Sequence, residues 1–469
     1  QDSQLYSSAI LPETLHEKYI HDPKVPGLVV NTNLAIENKI HGFFIDMDGP
    51  TRKNDERHLK SLFFGQGARV FTKIPYVQPI DASRRFLKAI PWRTSPRSVA
   101  LEKEDVEKLR HTQSTLRSCS ATHRQDFENK MFKLAGNNTY PVYVHIHGGA
   151  LVQGSATEHG YKGLIRNLVS RGIIVVTFNY RLSAYGFLEV FNKEELKMLR
   201  EKHKKEHPGK PFPYEDYRIN LGLEDAIMAL QWVKENISNF GGDIDRITLG
   251  GNSAGASMTV FLALELNREG STLGQKVKFN QIAPFGSSAD VCTKYSWLGQ
   301  DLDTLRKTEA HCHGKTGEEL WDCLKNVDFA ALDTASITIT PKQHLIWGVK
   351  PDVEHFPDVA RGMFKLQAHE PKQKLKVFYA MSRDEWATFD SIDFRKEAQD
   401  HGIKTYGRDY LKLILKIILK SYEMIKEPLD AKAEEIANKL VDIYRTDFKV
   451  DSNVKNEEIE NTVYYQIIT

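Results

Sequence analysis

The chain has 469 residues, 41% of them hydrophobic and 27% charged, with 64 Lys and Arg set against 62 Asp and Glu. That hydrophobic fraction supports a large core, and a formal net charge of +2 argues against nucleic acid or an anionic membrane surface as partner. No apolar run reaches the roughly 18 residues that a membrane span needs. There is also no repeat period or low-complexity tract, so one domain over 1–469 is expected.

The chain opens on Gln1 without a charged-then-apolar leader, as a mature secreted protein would. Two sequons, Asn137-Asn138-Thr139 and Asn236-Ile237-Ser238, agree with export and make Asn137 and Asn236 candidate glycan sites. The run Pro141 to His147 is β-branched and aromatic and stops at Gly148-Gly149, which predicts a central strand ending in a backbone-exposing turn. Gly172 to Tyr180 is apolar on both faces, the pattern of a buried parallel strand. The lysine-rich stretch from Asn192 to Lys210 predicts a solvated helical insertion, placed at about residues 189–218.

Glu224 to Val233 has the 3.6-residue apolar rhythm of a helix. A turn at Asn239-Phe240-Gly241-Gly242-Asp243, a strand at Arg246 to Leu249 and a helix from Ala254 to Leu264 follow. Leu375 to Ala380 reads as another strand. Strands alternating with helices predict an α/β fold, a mostly parallel central sheet flanked by helices. Leu411 to Lys420 carries lysines at 412, 416 and 420, one face of a helix whose other face is aliphatic. A surface helix packing that apolar face on the core is expected there, with a membrane-surface helix as the alternative.

Four cysteines are few. Cys312 and Cys323 could close a short loop in an oxidising compartment, while Cys119 and Cys292 have no evident pairing. The run His311-Cys312-His313 suggests a metal, but no second cluster with ligand spacing lies nearby, so no metal site is expected.

The sharpest chemical signal is Gly251-Asn252-Ser253-Ala254-Gly255, between a strand and a helix. A nucleophilic serine on a tight strand-to-helix turn projects its hydroxyl above the sheet, and a Cβ at either flanking glycine would collide where strand and helix cross. Such a nucleophile needs backbone N–H groups aimed at the charge developing on the carbonyl oxygen. The turn at His147-Gly148-Gly149-Ala150 meets that need, with the N–H of Ala254 completing the hole.

Further stretches resemble the type-B carboxylesterase/cholinesterase family of α/β-hydrolases. They are Phe71-Thr72-Lys73-Ile74-Pro75-Tyr76 with Arg85-Phe86, then Asn179-Tyr180-Arg181-Leu182, Gly186-Phe187-Leu188, Asn220-Leu221-Gly222-Leu223-Glu224-Asp225 and Asn239 to Asp243. The resemblance runs from about Val29 to the end and is most specific from 141 to 264. It implies an α/β-hydrolase fold, a Cys312–Cys323 disulfide and a Ser-Glu-His triad in that chain order. The family's acid lies in a strand-end Asp-Glu-Gly motif, which maps it to Glu385 in Asp384-Glu385-Trp386. The chain departs from the family at Asn252, usually Glu, at Ala150, usually a third glycine, and at Trp386, usually Gly. Cys119 lacks the usual upstream partner.

In the family the base comes on a loop well beyond the acid. The only His after Glu385 is His401, too soon to follow another strand and crossover. The tail from Asp447 to Thr469 resembles the stretch preceding the family's last helices and strand, so the base is expected beyond Thr469. The resemblance therefore implies a secreted serine hydrolase of small-molecule carboxylic esters, working without a cofactor: Ser253 attacks, and Gly148, Gly149 and Ala254 hold the oxyanion. The family also includes cholinesterase-like domains that bind partners and hydrolyse nothing. The alternative is thus an adhesion, matrix or ligand-binding protein, with a homodimer or an extracellular protein partner as its association.

Overall fold

The computed structural model describes residues 19–20, 29–31, 39–45, 68–78, 80, 82–91, 128–134, 139–267, 271, 274, 277, 279–287, 312, 314–337, 347–350, 375–382, 395–400, 402–404, 407–421, 429–447 and 449–468. Among the described residues, ten strands form the sheet: β1 Tyr19–Ile20, β2 Val29–Asn31, β3 Lys39–Ile45, β4 Ala68–Pro75, β5 Glu128–Leu134, β6 Tyr140–Ile146, β7 Ile174–Phe178, β8 Gly242–Asn252, β9 Gln281–Phe285 and β10 Lys376–Val377. Their order is β1-β3-β4-β5-β7-β6-β8-β9-β10, with β2 on β3. The half from β7 to β10 is parallel throughout. An antiparallel N-terminal wing, β1 to β5, is added to it.

Apart from β9, the parallel half is made of segments that sequence patterning predicts. All five residues of β7 are buried, because helices cover both faces of a parallel sheet and leave no polar side. Helix α2, Leu221–Asn236, is buried nearly all round, including Glu224 and Asp225. Asp225 can be buried because the Arg181 guanidinium donates to both of its oxygens at 2.8 Å, and the Arg181 backbone N–H donates to Oδ2 at 3.0 Å. A paired, fully hydrogen-bonded ion pair is the form in which charge survives in a core.

The predicted insertion is helix α1, Lys193–Glu206, which has no buried residue and begins with a capping box between Asn192 and Glu195. Tyr214, Phe191 and Trp321 pack beneath it. Trp321 lies on α4, Gly317–Asn326, which the Cys312–Cys323 disulfide, with Cα atoms 5.8 Å apart, ties to the preceding turn.

A second core lies between α5, Arg408–Ser421, α6, Leu429–Asp447, and α7, Asn456–Ile468. Tyr410, Leu411, Ile414 and Leu415 of α5 are buried in it, so the aliphatic face packs inward as expected. The lysine side is not simply solvated: Lys412 pairs with Glu434 at 2.8 Å, and Lys416 pairs with Asp430. Among the described residues, no helix is long and apolar enough to cross a membrane.

Candidate active site

β8 ends at Asn252 and α3, Ala254–Asn267, starts two residues later. Ser253 between them has φ 53°, a left-handed conformation that costs a non-glycine residue of order 1–3 kcal/mol and is retained where the surroundings over-determine it. Here the surroundings do. The Ser253 N–H donates to Phe285 O of β9 at 2.8 Å, and the Ser253 carbonyl accepts from Ala256 and Ser257 N–H at 2.8 and 3.1 Å. A Cβ on Gly251 would lie 2.4 Å from Gly255 O, and one on Gly255 would lie 2.1 Å from Ile146 O. Both glycines are thus required by the strand–helix crossing. Ser253 is half-buried and Asn252 beside it is exposed.

The turn from His147 to Ala150 follows β6, which is hydrogen-bonded alongside β8 with Ile146 opposite Gly251. A Cβ on Gly148 would sit 2.7 Å from Asn252 O and 3.1 Å from Ser253 Cβ, so the turn lies directly against the elbow. Gly149 has φ 104°, and its carbonyl accepts from Val152 and Gln153 N–H at 3.0 Å each. Ala150, where the family pattern has glycine, stands at φ 55° and carries strain that glycine would not. The structure therefore brings together Ser253, Gly148, Gly149 and Ala254. Glu385, His401, Cys119, Cys292 and Asn137 lie outside the described residues.

Sequence reasoning did not assign a role to His147 or Tyr180. Because a carbonyl oxygen only accepts, the 2.9 Å contact between His147 Nδ1 and Gly148 O places the proton on Nδ1. A peptide unit is planar and trans, so holding the Gly148 carbonyl also aims the Gly149 N–H on its far side. Tyr180 stacks on the His147 ring at 4.4 Å and donates its hydroxyl to His147 O at 3.0 Å. Burial pushes the His147 imidazole down to about 4, and that of His145, behind it, to about 3. Both rings are neutral at pH 7. The signal was present in the quoted stretches His147-Gly148-Gly149 and Asn179-Tyr180-Arg181, but neither names its partner.

The strand before Glu385 runs parallel to β9. Gly286 N–H donates to Ala380 O at 2.9 Å, and Phe285 bridges Ala380. Ser253, Phe285 and Ala380 thus lie abreast at the carboxyl edge of the sheet, the edge at which open α/β sheets place their ligands.

Most of the chain, though not the strands β1 to β3, matches a known sequence pattern. The profile of the family described as Carboxylesterase family matches residues 59–197 and 214–467. This chain belongs to the carboxylesterase family. The match breaks over 198–213, most of the exposed insertion. Para-nitrobenzyl esterase of Bacillus subtilis (strain 168) is 33% identical over 208 residues, 42% of this chain and 37% of that protein. Acetylcholinesterase 1 of Caenorhabditis elegans is 32% identical over 199 residues, 40% of this chain and 28% of that one. The neuroligin-like protein glit-1 of the same organism is 29% identical over 277 residues, 54% and 32% respectively. The matched part of the chain thus spans about a third of the length of each of these carboxylesterase-family relatives.

Two further site expectations meet the structure here. Cys312 is bonded to Cys323, so its sulfur is not a thiolate available to a metal. Asn236, the second candidate glycan site, is 2% exposed, and its amide donates to Trp232 O at 2.9 Å at the end of α2. A glycan at that nitrogen would have to displace the helix packing.

Proposed function

We propose that the chain forms the catalytic body of a secreted serine hydrolase acting on carboxylic esters through an acyl-enzyme. Ser253 Oγ attacks the ester carbonyl, and its proton passes to a histidine outside the described residues, held in turn by Glu385. The N–H groups of Gly148, Gly149 and Ala254 hold the oxyanion. Collapse of the tetrahedral intermediate breaks the ester C–O bond, and the histidine returns the proton to the leaving alcohol. Water then repeats the sequence on the acyl-serine and releases the acid.

The observation that carries this reading is the strained Ser253 elbow against Gly148, since strain retained at such a turn is the usual sign of a functional site. Family membership and the esterase relatives support it. Secretion is supported by the Cys312–Cys323 bond, because disulfides persist in oxidising compartments, and by the sequon at Asn137. The second reading, a partner-binding protein, has the neuroligin-like relative in its favour, but it gives no reason for an intact nucleophile on a strained turn.

An organophosphorus probe tests the proposal, because its adduct mimics the tetrahedral intermediate. Full-length protein should be labelled at Ser253 and lose both labelling and aryl-ester turnover on Ser253→Ala. A folded full-length protein that reacts with no probe and hydrolyses no ester in a broad panel belongs to the second reading.

A further inference from the structure

Glu224 is a buried charge that the chemistry above does not use. It starts a face of α2 continued at i+3, i+4 and i+7 by Ile227, Met228 and Gln231, and these four line a cavity of about 390 Å³. That volume is within the range that encloses small organic molecules. Ala89, Ile90 and Pro91 also line it, as does the Arg84–Asp216 ion pair at 3.1 Å. None of Ser253, Gly148, Gly149 or Ala254 lines it.

The walls are held in place before any ligand arrives. Lys88 N–H donates to Asp216 O at 2.7 Å and Gln78 N–H to Ile90 O at 2.8 Å. The Arg84 guanidinium donates to Lys88 O at 2.6 Å, and that of Arg181 to Leu87 O at 2.8 Å.

Glu224 itself is 1% exposed, and neither carboxylate oxygen accepts a hydrogen bond among the described residues. The Lys88 ammonium lies 3.4 Å from Oε2, which supplies charge compensation without a directed bond. A carboxylate can accept at both oxygens, and a buried one without hydrogen bonds is strongly disfavoured. Lys88 is one-third exposed at its side chain, so its head can turn to water on its flexible stem. Glu224 has no such freedom. What completes the cavity is a cationic N–H donor for Glu224 carried on an apolar body that covers Ile227, Met228 and Ile90.

We propose that this cavity is a binding site for a small amphiphilic amine, a primary ammonium on an aliphatic or aryl-alkyl body. The site is independent of the esterase reading and stands or falls without it.

The test is calorimetric titration of full-length protein carrying Ser253→Ala, so that binding is not read as turnover. Phenethylammonium should bind, and phenethyl alcohol, which has the same body without the charge, should bind about tenfold more weakly or less. Glu224→Gln should weaken the ammonium about tenfold and leave the alcohol unchanged. With Ser253 restored, it should leave aryl-ester hydrolysis unchanged. Ile90→Trp, at a partly exposed wall position, should block both ligands and decides the matter if Glu224→Gln does not fold. No binding of phenethylammonium, equal binding of the alcohol, or wild-type amine binding by folded Ile90→Trp would each overturn the proposal.

Discussion

Gly148 packs closely against Ser253: a methyl group on Gly148 would lie 3.1 Å from Ser253 Cβ and 2.7 Å from the carbonyl oxygen of Asn252. The turn from His147 to Ala150 and the strand-to-helix turn at Ser253 are therefore one packed unit, made by two strand ends that are neighbours in the sheet. Local strain is shared between them, with φ 53° at Ser253 and 55° at Ala150.

Gly148→Ala should then act on catalysis more than on folding. The new methyl pushes the turn off the elbow, and losing one aligned donor lowers kcat by roughly 10²–10³-fold. Steady-state kinetics on an aryl ester, with the thermal midpoint measured alongside, checks this. Unchanged kcat in a folded variant would show that the turn does not hold the oxyanion.

His147 should act as a positioning residue through the Gly148 carbonyl. In full-length protein His147→Gln should lower kcat while leaving KM near its original value, because the Gly149 N–H is needed most as charge develops. The same ring links stability to pH. Unfolded His titrates near 6.5, and the folded value is depressed to about 4, so between those limits the unfolded chain binds more protons. Stability from this group is complete above pH 6.5 and falls as pH drops towards 4, by on the order of 3 kcal/mol in all. Denaturant midpoints at pH 7 and pH 5 should show the loss, and His147→Gln should reduce it by about half, leaving the part due to His145.

Reduction should loosen the region beneath the insertion. The Cys312–Cys323 bond spans 11 residues and leads into α4, whose Trp321 packs on Phe191, Tyr214 and Tyr217. Removing a bond that closes so short a loop costs roughly 2–4 kcal/mol. Non-reducing peptide mapping should recover the two cysteines in one linked species. Cys323→Ser should lower the denaturation midpoint, and free thiols at both positions in native secreted material would contradict the pairing.

Much of the fold is legible in the chain because its signals are local. The largely apolar, fully buried run of β7, the glycines flanking Ser253 and the glycine turn between α2 and β8 each reflect a constraint imposed within a few residues, by period, by φ or by a missing Cβ. The solvated insertion was legible for the same reason: a helix whose polar residues far outnumber its apolar ones stays at the surface, with Leu196 and Leu199 packed against the core. The antiparallel wing was not, since β4 and β5 pair across more than fifty residues of intervening chain, and nothing in either strand names the other.

By itself, then, the sequence determined where the Ser253 turn and the glycine turn after His147 stand and which residues flank them. Tertiary structure alone decided what those residues touch. It placed the His147 ring on the Gly148 carbonyl and paired Lys412 with Glu434 where the lysine stripe suggested open solvent. It also buried Asn236 despite its sequon, and set Glu224 into a cavity instead of on a helix surface. The reason is physical: a side chain's chemical type is written at its own position, whereas its burial and its partners depend on chain segments that only folding brings near.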